Sequence, residues 1–127
     1  MPTSGQTACT PGLSEPAEVR RFFGRMNDPV AAAYVKGICG DEMEFYLVIR
    51  EGIITDIRFF TDGCEITRLC GAKTASFANG HAVWDALAIS TRTVTDAVGD
   101  LPLSHRHCPI LAVTTLYKAI ADYLLKP

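Results

Sequence analysis

The stretch from Met43 to Phe59 has room for little except a β-hairpin. Met43, Phe45, Leu47 and Ile49 alternate with Glu44, Tyr46, Val48 and Arg50, and beyond Glu51-Gly52 the residues Ile53, Ile57 and Phe59 share one parity. A period of two sends alternate side chains to opposite faces, so each run reads as a strand with one apolar face. The loop length then follows from register. A two-residue loop at Glu51-Gly52 would set Ile57 beside Tyr46 and Phe45 beside Arg58, mixing the faces. A three-residue loop, Arg50-Glu51-Gly52 with Gly52 at positive φ, pairs Ile49 with Ile53, Phe45 with Ile57 and Met43 with Phe59. The second register is the expectation. An extended stretch from Ala32 to Ile38 is expected to add a third antiparallel strand.

This register carries a consequence for chemistry. Asp41 falls opposite Thr61, and Cys39-Gly40-Asp41 approaches Asp62-Gly63-Cys64. Two thiols and neighbouring carboxylates therefore meet at one end of the sheet by hairpin geometry alone.

The flanking segments read as helices. Residues 1–13, which include Cys9, hold little to bury and are expected to form a mobile tail ahead of a single domain at 14–127. Ser14 reads as an N-cap with Glu15, Pro16 and Glu18 in the first turn. Val19, Phe22, Phe23 and Met26 then make one apolar stripe ending near Asn27-Asp28-Pro29. Ile66 to Asn79 is a helix with small residues for close packing, stopped by Gly80. Shorter helices follow at Ala82–Ile89 and Thr93–Val98, with Trp84 and Leu87 expected in the core. The final helix runs from Pro109 to Leu125, its apolar positions Leu111, Leu116, Ile120, Tyr123 and Leu124, with Cys108 as N-cap. The fold class is α+β: a small three-stranded antiparallel sheet packed by helices, with a long C-terminal helix.

Composition excludes several function classes. The chain has 127 residues, 48% of them hydrophobic and 20% charged, with net charge −2. It lacks the basic excess of a nucleic-acid binder, and no apolar run approaches the roughly eighteen residues of a membrane span. MPTSGQTACTPG has neither a basic start nor an apolar core, so no signal peptide is expected. Five cysteines without an export signal fit reduced thiols in a cytoplasm.

Cys64 and Cys108 both stand at expected helix N-termini, where unpaired N–H groups and the helix dipole favour thiolate. Any one of these cysteines alone is more often a packed small hydrophobe, and His107 alone more often a surface or capping histidine. His81 and His105 read as surface residues and Cys70 as helix core. There is no CxxC, hence no zinc-finger spacing. A Cys108–His107 nucleophilic dyad suffers from geometry, since adjacent helical residues point about 100° apart. From the residues alone the reading stops at a three-thiolate, metal-type site.

The order G-x-C-G-D (Gly37 to Asp41), D-G-C (Asp62 to Cys64) and L-P-x-x-x-x-H-C-x-x-L-A (Leu101 to Ala112) strongly resembles the U-type iron–sulfur cluster assembly scaffolds, IscU and the N-terminal domain of NifU. The resemblance implies a transient cluster held on Cys39, Cys64 and Cys108, with Asp41 and His107 beside it. It implies a non-enzymatic role: building a [2Fe–2S] cluster from iron and the sulfur of a cysteine desulfurase, then passing it to apo iron–sulfur proteins. Zinc is the metal expected in protein purified aerobically. The rival reading is a zinc-dependent or cysteine-based enzyme using the same groups.

Three departures from the family pattern stand out. Glu65-Ile66-Thr67-Arg68-Leu69 replaces small residues after the second cysteine, and Cys70 is an extra thiol. The L-P-P-V-K segment that housekeeping members offer to a specialised Hsp70 reads Leu101-Pro102-Leu103-Ser104-His105, which implies weak or no chaperone recognition. The further domains of full-length NifU are not expected.

Overall fold

The computed structural model describes residues 16–38 and 40–126. The expectations for residues 1–13, for a helix start at Ser14 and Glu15, and for Cys39 lie outside the described residues. Three antiparallel strands, β1 (Ala31–Lys36), β2 (Glu42–Arg50) and β3 (Ile53–Thr61), form one sheet in that order. Among the described residues five helices accompany it: α1 (Ala17–Phe22), α2 (Glu65–Ala78), α3 (Val83–Ala86), α4 (Thr91–Val98) and α5 (Cys108–Leu125). The α+β reading and the three-stranded sheet hold.

The hairpin register differs from expectation. The turn has two residues, Glu51 (φ 53°) and Gly52 (φ 77°), with Arg50 paired to Ile53 and Ile49 to Ile54. Both turn residues are left-handed, which matches the twist of the flanking strands. The slip of faces that a two-residue loop should cause is absorbed by a bulge: Thr55 is the extra residue, its Oγ1 donating to the Val48 carbonyl at 3.2 Å. Beyond it Leu47 faces Ile57, Phe45 faces Phe59 and Met43 faces Thr61. The apolar face is restored, and Met43, Phe45, Leu47, Ile57 and Phe59 are all fully buried. Ile54 takes the inward place expected for Ile53, which is left 37% exposed.

Helix α1 is shorter than its stripe. Pro16 occupies the N-cap, and the helix ends at Phe22, with Phe23 already extended. Phe23 leaves the helix to bridge Phe59 along β3, where Gly24 N–H donates to the Phe59 carbonyl at 2.8 Å and the two rings meet edge-on at 5.4 Å. Pairing beside the sheet thus outweighs continuing an apolar stripe into solvent.

Helix α2 lies close on the sheet because Gly71 has no side chain. A Cβ there would fall 2.6 Å from the Phe59 ring. Ala72, Ala75 and Ala78 of the same helix are buried as well. Helix α3 is a single turn, and Trp84 is 68% exposed, not core; Leu87 does pack on the core. Helix α4 starts earlier than expected because Ser90 caps it, accepting from Thr93 N–H at 3.1 Å.

Helix α5 buries Leu111, Leu116 and Ile120 as expected, whereas Leu124 is 39% exposed. A 3-10 turn at Leu103–His105 precedes it. The span Leu103–Leu125 is long and apolar enough by composition to cross a membrane, contrary to the expectation from the sequence. Half of its most apolar stretch is buried inside the protein, against the sheet and α2, so its apolar residues serve the core.

Candidate metal centre

The site forms where the β1–β2 turn, the end of β3 and the starts of α2 and α5 meet. The first turn is closed by Gly37 N–H to the Asp41 carbonyl (2.7 Å) and Gly40 N–H to the Gly37 carbonyl (3.0 Å). Gly40 is at φ 92°, a conformation that side chains rarely adopt. This loop presents Asp41 half-buried at the head of β2. Across from it, Thr61 Oγ1 donates to the Glu42 carbonyl at 2.5 Å and accepts from Gly63 N–H at 3.0 Å, locking the end of β3 to the start of β2. Of the convergence expected from the hairpin, the approach of Asp41 to the Cys64 end is seen, through Thr67, although Thr61 faces Met43 and not Asp41; the place of Cys39 lies outside the described residues.

Cys64 is the N-cap of α2 and is exposed. Cys108 is the first residue of α5, with His107 at the N-cap, one position away from expectation. It is fully buried. A carboxylate oxygen of Asp41, a ring nitrogen of His107 and Cys108 Sγ all lie within 4.8 Å of one another. His107 Nε2 stands 3.9 Å from Cys108 Sγ, so the adjacent pair does meet. The 100° separation holds for two residues within a helix, and His107 lies at its threshold.

The residue that sequence reasoning missed is Thr67. Its hydroxyl donates to Asp41 Oδ2 at 3.0 Å and lies 3.4 Å from Cys108 Sγ and 3.7 Å from Cys64 Sγ. Thr67 is the third residue of the helix that Cys64 caps, the spacing of a capping box, in which the cap and third side chains face each other. That spacing was the available clue. Gly63 makes it possible, since a Cβ there would fall 2.7–2.9 Å from the side chain of Thr67. Arg68, next along the helix, is 8% exposed with Nη1 3.4 Å from the Gly63 carbonyl.

Cys70 is buried within α2, as expected. Burial first, and then the neighbouring Cys108 and Cys64, push its thiol up to about 12. It is held protonated at neutral pH and is a poor ligand, because metals bind thiolate. Thiolate, imidazole and carboxylate around one point make a donor set that suits zinc or iron.

The family model for the NifU-like N-terminal domain matches residues 18–127. The chain belongs to this family. Among curated relatives, iron–sulfur cluster assembly scaffold protein IscU 1 of Archaeoglobus fulgidus is 36% identical over 107 residues, covering 84% of this chain and 70% of that protein. IscU of Escherichia coli K12 is 35% identical over 89 residues, 69% of each chain. Among solved structures, the N-terminal part of a NifU-like protein from Brucella abortus superposes with a TM-score of 0.64 at 16% identity, covering 98% of this chain and all of that one. An iron–sulfur assembly scaffold of the SUF system from Fervidobacterium islandicum gives 0.65 at 17% identity over 83% of this chain and 95% of that one. These two share the fold of the NifU-like domain described above.

Proposed function

We propose that this NifU-like domain is a scaffold on which an iron–sulfur cluster is assembled and from which it is passed on. The observation that carries the proposal is the convergence of Asp41, His107 and Cys108 within 4.8 Å, with Cys64 joined to them through Thr67. Cys39 completes the proposed set, three thiolates with Asp41 and His107 beside them. The cargo is a [2Fe–2S] unit, built from iron and the sulfur of a cysteine desulfurase and delivered to apo iron–sulfur proteins. Three thiolates and one weaker ligand hold such a cluster less firmly than four cysteines, which suits cargo that must leave. Isolated in air, the protein holds zinc at the same residues.

The role is non-enzymatic and requires reduced thiols, hence a reducing compartment such as the cytoplasm. The 3.9 Å contact between Cys108 and His107 raises the rival of a cysteine enzyme. Full burial of Cys108 argues against it, since a nucleophile must reach its substrate. Chaperone recognition is weak in this proposal: a peptide of residues 99–106 should stimulate a scaffold-specific Hsp70 less than an L-P-P-V-K peptide does.

Anaerobic reconstitution with iron and sulfide, followed by visible absorbance and circular dichroism, tests the reading. A cluster spectrum that transfers to an apo-ferredoxin supports it; no spectrum defeats it. Asp41 adds charge and a hard, exchangeable ligand, so Asp41→Ala should lengthen the life of the cluster and slow transfer. His107→Ala should shift or weaken the spectrum, since imidazole is the better fourth ligand. A faster loss from Asp41→Ala than from the parent would overturn these roles.

A further inference from the structure

We propose that Thr67 is the positioning residue of this site and acts through Asp41. The inference deepens the scaffold reading and rests on it only for the identity of the cargo.

The argument begins with one oxygen. A threonine hydroxyl has a single proton and two lone pairs. The proton of Thr67 is given to Asp41 Oδ2 at 3.0 Å, so toward Cys108 Sγ at 3.4 Å and Cys64 Sγ at 3.7 Å its oxygen accepts from the S–H of the metal-free thiols. Three prospective ligands from three separate elements thus converge on one side chain. Thr67 itself is fully buried and β-branched, so it has few rotamers. Gly63 presses against it from the other side, with no space for even a Cβ. The hydroxyl is held where it stands.

Asp41, by contrast, is half-buried at the end of a glycine-bearing turn and would otherwise be free to swing toward solvent. Thr67 occupies one carboxylate oxygen and leaves the other for a metal. That is the arrangement by which a neighbour orients a ligating carboxylate, and its loss typically costs tenfold to a hundredfold in metal affinity. Helix position explains why this residue does it: the third residue of α2 is the one whose side chain turns back over the Cys64 cap.

The test uses cobalt(II) as the probe metal, titrated anaerobically into the full chain. Thiolate-to-cobalt and d–d bands report the ligand set. Thr67→Val keeps the shape and removes the hydroxyl; it should weaken cobalt binding by roughly tenfold to a hundredfold and change the d–d bands as Asp41→Ala does. Combining the two substitutions should add nothing beyond Asp41→Ala, because both remove the same interaction. Thr67→Ser, which keeps the hydroxyl, should retain the parent's spectrum. Should Thr67→Val fail to fold, Thr67→Ala carries the same expectation. The proposal is overturned if the parent binds no cobalt, if Thr67→Val binds it like the parent, if Thr67→Ser is as damaged as Thr67→Val, or if Thr67→Val weakens binding equally when Asp41 is already alanine. Cobalt results as expected, beside failed cluster reconstitution in the parent, would defeat the scaffold reading and leave the role of Thr67 standing.

Discussion

Two helices begin on a cysteine at the same end of the sheet, and the fold treats the two thiols in opposite ways. Cys64 caps α2 and is exposed, whereas Cys108 opens α5 and is fully buried. Each has the free N–H groups of a helix start in front of it. The difference lies in what surrounds them. Cys64 follows β3, an edge strand, through the short turn at Asp62-Gly63. Cys108 starts the helix that crosses β1 and β2 and packs on α2. A helix start supplies the electrostatics, and the layer in which it lies decides access. Under the proposed function, Cys64 would be the thiol open to partners and Cys108 the one held inside the protein.

The largest expected effect comes from removing both thiols. Cys64→Ser with Cys108→Ser should abolish zinc retention, measured by metal analysis of purified protein; undiminished zinc would break the comparison at its base. Cys108→Ser alone should also lower the stability of the apo-protein by about 1–3 kcal/mol, because a hydroxyl replaces a buried thiol.

Next comes Cys70, which sits near both thiols. Its ordinary value is near 9, and burial together with Cys108 and Cys64 pushes it to about 12. A group held protonated in the folded state stabilises fully below its unfolded value and loses that contribution as pH rises through the folded one. Three units correspond to on the order of 4 kcal/mol, lost between about pH 9 and pH 12. Denaturant midpoints for Cys70→Ala should fall less steeply over that window than the parent's. Metal binding at neutral pH should be unchanged in Cys70→Ser.

Gly63→Ala is expected to cost about 1–3 kcal/mol by overpacking Thr67, read from thermal unfolding, and to disturb the exposed Cys64 end more than the Cys108 end. The smallest effect is that of Cys64→Ser on the apo-protein, within about 0.5 kcal/mol as for other exposed positions. A thiol reagent applied to the apo-protein should accordingly modify Cys64 well before Cys108. Equal rates would show that burial does not separate the two.

Much of this was legible before any coordinates. Alternation identified both hairpin strands, and the small residues of α2 announced close packing, though not that Phe59 of the sheet is what Gly71 packs on. The convergence of Asp41 with the Cys64 turn followed from hairpin logic even though the register was misread. Parity survived that error because the bulge at Thr55 restores the faces, and a bulge leaves no mark in a pattern that reads the same with or without it. Phe23 and Trp84 misled for a related reason. Apolar residues at helical spacing suggest a buried stripe, but Phe23 found a better partner in Phe59, and Trp84 stays 68% exposed.

The sequence by itself determined the strand and helix types, the apolar face of the hairpin and the order of the chemistry-bearing motifs along the chain. These depend on side-chain period and turn chemistry, which act over a few residues. Only the tertiary structure decided that Cys108 is buried and Cys64 open, that His107 reaches its neighbour, and that the Thr67 hydroxyl stands among Asp41 and both thiols. Each of these depends on how α2 and α5 lie on the sheet, and packing between elements distant in sequence is set by the whole core together.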